Sequence, residues 1–109
     1  MTSFHIAESE TAFQNRLTQL AESLDWEWMH IGRTGKYVAN GAKGTLGKGW
    51  PDLFLVRGDR TLFVECKAAD GVLSKEQRKV LFSLRAAGHQ VRIWRPSDWP
   101  LILKELTDG

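Results

Sequence analysis

Apolar residues recur at helical spacing near the start of the chain, where Phe13, Leu17, Leu20 and Leu24 share one face of a helix predicted from Ser9 to Leu24. Ser9 or Thr11 is placed to cap it, since a hydroxyl oxygen there accepts an otherwise unpaired backbone N–H. Trp26 to Ile31, rich in aromatic and apolar residues, reads as a strand. The clearest strands are Asp52–Val56 and Thr61–Lys67, separated by Arg57-Gly58-Asp59-Arg60, whose Gly-Asp pair is a favoured hairpin centre. Both strands are apolar on both faces, which places the hairpin in the middle of a sheet covered on each side. Ser74 opens a second helix to about Ala87 that buries Val80, Leu81 and Leu84, and Gly88 stops it. Val91–Arg95 is a further strand. Ser97 caps a last short helix through Leu106, with Pro100 tolerable in its first turn.

Helix, three strands, helix, strand, helix: that order predicts an α/β fold with a mixed central sheet flanked by helices. The helix between the hairpin and the last strand invites a parallel crossover. The 109 residues suit one domain over 1–109, and 42% hydrophobic with 26% charged residues is an ordinary globular balance. So small a sheet-containing unit would gain from dimerisation. Cys66 is the single cysteine, which excludes an internal disulfide or a zinc ribbon and makes a reducing, cytoplasmic setting the default expectation. Met1–Glu10 lacks the basic and then apolar regions of a signal peptide, and no apolar run approaches a membrane span.

Net charge is only +2, but its distribution is uneven. Between Gly32 and Pro51 lie four basic residues (Arg33, Lys36, Lys43 and Lys48) and no acidic one. The segment Gly32–Gly49 also carries six of the ten glycines and reads as a long, mobile loop. Such a segment suits a phosphate backbone, although on charge alone a solvated surface loop is the better explanation.

The hairpin has a chemical consequence. With Gly58 and Asp59 at the turn, equal steps back along both strands pair Asp52 with Glu65, their Cβ atoms about 4.5–5.5 Å apart. Alternation then puts Lys67 on the same face as Glu65. Two carboxylates so close repel by roughly 3 kcal/mol at an effective dielectric of about 20. A shared proton, the Lys67 ammonium or a bound cation would offset that cost. Two carboxylates with open water positions suit Mg²⁺ or Mn²⁺. For any one of the three residues an ordinary structural role is the better explanation, but three charges on otherwise apolar strands are not ordinary.

Pro51-Asp52, followed beyond the hairpin by Glu65-Cys66-Lys67, resembles the PD-(D/E)XK nuclease signature. The segments Ser9–Gln14, Gly49–Leu53, Leu73–Arg78 and Val91–Pro96 extend the likeness to the virus-type replication-repair nuclease (VRR-NUC) family. The resemblance implies a restriction-endonuclease-like αβββαβ core and Mg²⁺- or Mn²⁺-dependent hydrolysis of phosphodiester bonds in branched DNA. Stand-alone members resemble dimeric Holliday-junction resolvases, so a homodimer cutting four-way junctions is the expectation. A flap nuclease and a nuclease fold that binds DNA without cutting are the alternatives.

Under the resemblance, Asp52 and Glu65 fall on metal-ligand positions, the Cys66 carbonyl on a backbone ligand position, and Lys67 on the catalytic lysine. Glu10 matches a helix-borne acid that reaches the metal through water, although a glutamate near a helix start also suits the helix dipole alone. Gln77 matches a glutamine bracing the catalytic region. Ser74-x-x-Gln77 is equally a capping box, which leaves two roles open for that side chain. Trp50, beside the expected site, joins Arg33, Lys36, Lys43 and Lys48 as a candidate DNA contact. Trp26 and Trp28, alternating along one strand, read as core. His5, His30 and His89 stand singly, without metal-ligand spacing.

Overall fold

The structure is a computed structural model that describes residues 7–31 and 48–108. Its elements are α1 (Glu10–Ser23), β1 (Glu27–His30), β2 (Leu53–Arg57), β3 (Arg60–Cys66), α2 (Lys75–Ala86), β4 (Val91–Trp94) and α3 (Trp99–Thr107), with a 3₁₀ turn at Pro96–Asp98. The sheet order is β1-β2-β3-β4, with β1–β2 and β2–β3 antiparallel and β3–β4 parallel. The expected αβββαβ order is therefore present, with the hairpin strands central.

The hairpin turns at Gly58, whose φ of 61° lies in the left-handed region that glycine enters without steric cost. Its register runs from Arg57 opposite Arg60 to Leu53 opposite Val64. Leu53 and Leu55 of β2, with Leu62, Val64 and Cys66 of β3, point to one face and pack on Phe13, Leu17 and Ala21 of α1 and Ile102 and Leu106 of α3. Phe63 and Ile93 point to the other face and meet Leu81 and Leu84 of α2. This two-sided cover is why neither strand shows the alternation of a half-exposed sheet. Trp26 and Trp28 lie within or against the larger cluster, as their pattern implied.

Local chemistry fixes the helix ends. Ser9, rather than Thr11, caps α1, its hydroxyl accepting from the Ala12 N–H at 3.1 Å. Ser97 does not cap the last helix. It lies inside the 3₁₀ turn, which the Asp98 carboxylate closes by accepting from the Arg95 N–H at 2.8 Å. The far end of α3 is held by Arg57, which donates to the Leu106 and Asp108 carbonyls at 2.8 Å each. No helix among the described residues is long and apolar enough to cross a membrane.

Candidate active site

Asp52 immediately precedes β2 and follows the buried Pro51. Its carbonyl accepts from the Ile31 N–H at 2.9 Å, so its backbone polar groups face β1 rather than β3. One step beyond the Leu53–Val64 pair, Asp52 therefore faces Glu65 as a non-hydrogen-bonded pair, the kind whose side chains approach more closely. On the opposite strand the Lys67 N–H donates to the Trp94 carbonyl of β4 at 3.0 Å. Cys66, one residue earlier, must then turn its N–H and C=O toward β2. That N–H donates to Asp52 Oδ2 at 2.8 Å. Hairpin register alone thus brings the two acids together.

Glu65 is only 2% exposed. Its Oε2 accepts from Gln77 Nε2 at 3.0 Å and lies 3.2 Å from Lys67 Nζ. Burial, and then the charge of Asp52, push its carboxyl up to about 7. Burial also raises Asp52, against the opposing pull of the Cys66 N–H bond. Lys67 Nζ spans Glu65 and, at 3.4 Å, Glu10 Oε1 from the first turn of α1. Burial works against the ammonium, but Glu65 and Glu10 outweigh it and hold Lys67 above its ordinary value.

Gln77 takes both roles that its sequence context allowed. Its Oε1 accepts from the Ser74 N–H at 2.8 Å, and its own N–H donates to Ser74 Oγ at 3.1 Å, which completes the capping box. The Nε2 end remains for Glu65. One amide thereby ties the start of α2 to the acid on β3.

His30, which the sequence offered no reason to single out, stands opposite Leu53 on β1, and its charge favours the ionised form of Asp52. The pairing of β1 with β2 was the one signal that could have found it. Cys66 points its thiol into the core, and burial followed by the Asp52 and Glu65 charges raises it far above a reactive thiol. Its contribution here is its peptide group. Lys48 pairs with Glu76 of α2 at 3.6 Å on the surface, and Trp50 is 42% exposed. Arg33, Lys36 and Lys43 lie outside the described residues.

Residues 18–98 match the VRR-NUC domain. The chain belongs to the VRR-NUC family. The matched span contains Asp52, Glu65, Lys67 and Gln77, and leaves Glu10 and α3 outside it. VRR-NUC membership carries a restriction-endonuclease-like fold and implies a nuclease of the PD-(D/E)XK type acting on DNA, a class that generally uses divalent metal ions. No curated protein and no solved structure matches the chain.

The donor set can be tested against such an ion. Among the described residues no three His, Cys, Asp or Glu side chains form a cluster able to hold a metal by themselves. The acid pair instead offers hard oxygens. The Cys66 N–H meets Oδ2 of Asp52, and Gln77 and Lys67 meet Oε2 of Glu65, so these contacts leave Oδ1 and Oε1 for a cation. A small hard cation that keeps several waters needs only one or two carboxylates, and this pair fits it. A thiolate-liganded metal does not fit, because the Cys66 thiol is in the core.

Proposed function

We propose that this VRR-NUC protein is a Mg²⁺- or Mn²⁺-dependent endonuclease that cuts branched DNA, acting as a homodimer on four-way junctions. The observation that carries the catalytic part is the pairing of half-buried Asp52 with buried Glu65, with Lys67 Nζ at 3.2 Å from Glu65. Asp52 and Glu65 would hold the ion together with the Cys66 carbonyl, with Glu10 reaching it through water. When bound, a divalent ion supplies polarisation of a phosphate oxygen and makes hydroxide accessible near neutral pH.

The chain's own groups do the rest. Lys67, kept protonated by Glu65 and Glu10, donates to the phosphate or to the attacking water as charge develops on phosphorus. Water forms a new P–O bond, one ester P–O bond breaks, and the departing alkoxide takes up a proton. Gln77 restrains the Glu65 carboxylate, and the Cys66 N–H restrains that of Asp52, so neither acid must reorganise when substrate arrives. The basic residues Arg33, Lys36, Lys43 and Lys48, with Trp50, are assigned to the DNA approach. The choice of junctions rests on the likeness to stand-alone family members and on symmetry, since a two-fold dimer presents two active sites to a two-fold substrate.

The test is cleavage of labelled junction, flap, single-stranded and duplex DNA with Mg²⁺, Mn²⁺ or EDTA. Metal-dependent cutting, strongest on the junction and lost in Asp52→Ala, Glu65→Ala and Lys67→Ala, is the expected result. Binding without cutting would make the chain a non-catalytic DNA-binding module, and preference for the flap would overturn the junction assignment.

A further inference from the structure

Along α2 lies a cleft of about 630 Å³, within the range of roughly 300–1,000 Å³ typical of ligand sites. One wall is the turn that leads into Asp52. Gly49 in that turn has φ 87°, and a Cβ added there would sit 2.6 Å from the Glu76 backbone, so the turn lies directly on the start of α2. Trp50, the next residue, projects beside the cleft and is 42% exposed. The opposite wall is the stripe Lys79, Val80, Ser83 and Ala87 of α2, which recurs at helical spacing. Gln77, on the adjoining face of the same helix, is the residue that holds Glu65. The turn and the helix that line the cleft are thus the elements that lead into Asp52 and brace Glu65.

Its chemistry is specific enough to name an occupant. An exposed indole beside small and apolar side chains offers a stacking surface that accepts any base. Among the described residues, Lys48 and Lys79 against Glu76 leave the lining with one excess positive charge. Glu76 is already paired, with Lys48 at 3.6 Å. A buried apolar peptide would need no cations here, whereas a nucleotide needs both an aromatic face and cations for its phosphates. A base inside a duplex is stacked on both sides and cannot enter.

We infer that this cleft receives one unpaired nucleotide adjoining the cut phosphate, its base stacked on Trp50 and its phosphates drawn to Lys48 and Lys79. The inference rests on the nuclease reading above and adds to it that one base beside the cleavage point must leave its partner, which on a four-way junction means a pair opened at the branch point. It also accounts for an exposed tryptophan two residues before Asp52.

Fluorescence anisotropy in EDTA, where cleavage does not intervene, tests it with three probes: a perfect duplex, the same duplex with a single-stranded overhang, and that overhang with abasic nucleotides next to the duplex. The parent should bind the base-bearing overhang about tenfold more tightly than the abasic one. Trp50→Ala should erase that difference, Trp50→Phe should restore most of it, and Ser83→Trp, which fills the cleft from the other wall, should erase it without touching Trp50. Equal affinity of the parent for base-bearing and abasic overhangs overturns the inference and leaves the nuclease reading intact. A parent that binds none of the three probes overturns both.

Discussion

Glu65→Gln should stabilise the metal-free protein above neutral pH while it abolishes cleavage. The carboxyl of Glu65 is raised from an ordinary value of 4.5 to about 7, chiefly by burial and then by Asp52. Between those two values the folded chain keeps a proton that the unfolded chain has lost. The stability this proton contributes is fully present below about pH 4.5 and disappears as pH rises through about 7. The rise corresponds to about 3 kcal/mol between the extremes. Asp52 is raised as well, so its contribution runs in the same direction. Glutamine preserves the shape and an acceptor for Gln77 and Lys67, and it carries no charge to bury. Against this, Lys67 loses one of its two partners, which reduces the net gain at pH 8 to about 1–3 kcal/mol.

For a chain of this size each kcal/mol is worth roughly 4 °C in melting temperature. Circular-dichroism melts in EDTA should therefore show variant and parent nearly equal at pH 5, with the variant higher by about 4–12 °C at pH 8. Adding Mn²⁺ should close the gap from the other side. At a hundred times its dissociation constant, a ligand that binds only the folded state contributes about 2.7 kcal/mol to the parent and nothing to a variant that has lost the site. If the variant melts at or below the parent at pH 8 in EDTA, Glu65 is not a strained acid and the reasoning fails.

Lys67→Met removes the cation beside a buried carboxylate, so single-turnover cleavage should fall by at least about 100-fold, and an NMR titration of the Glu65 carboxyl should move still higher. Gln77→Ala loses the capping box and the bond to Glu65 together, at about 1 kcal/mol by urea unfolding. Gln77→Glu keeps the cap acceptor but sets a further carboxylate against Glu65, so cleavage should drop and the stability loss should be larger at pH 8 than at pH 5. Gly49→Ala would force a Cβ to within 2.6 Å of Glu76 backbone atoms, whereas at Gly58, also at positive φ, nothing lies within 4 Å of the added carbon. Melting should show Gly49→Ala costing clearly more than the roughly 1 kcal/mol expected of Gly58→Ala.

The hairpin was legible because two independent signals agreed on it. The apolar pattern defined both strands, and Gly58-Asp59 set where the chain reverses, which together fix every cross-strand pair down to Leu53–Val64. Once register is fixed, so is the meeting of Asp52 with Glu65. What escaped was information that only packing creates. Gln77 seemed to face a choice between cap and brace, yet its amide has two ends, and the placement of α2 over Glu65 engages both. His30 gave no signal because a lone histidine on a short strand has no spacing to interpret until β1 pairs with β2. The Trp50 cleft was invisible for a similar reason, since its walls lie 29 residues apart from Trp50 to Lys79 and meet only because Gly49 lets the turn lie against α2.

The balance of charges argues further. Glu10, Asp52 and Glu65 are gathered around one ammonium, that of Lys67, with two of the three acids raised above their ordinary values. A fold selected for stability alone would replace the buried acid with an amide or an apolar side chain, since the sheet around it is otherwise apolar on both faces. Instead, the Cys66 N–H and the Gln77 amide orient the two carboxylates in their least comfortable arrangement. Groups positioned at a cost in stability, and only partly relieved by these donors, are what the proposed divalent cation would use. The carboxyl that must give up its proton to such a cation is the one that holds it to about pH 7. Cation binding by this pair should therefore release close to one proton at pH 6 and much less at pH 8, a difference that calorimetry in buffers of unlike ionisation heat reads directly.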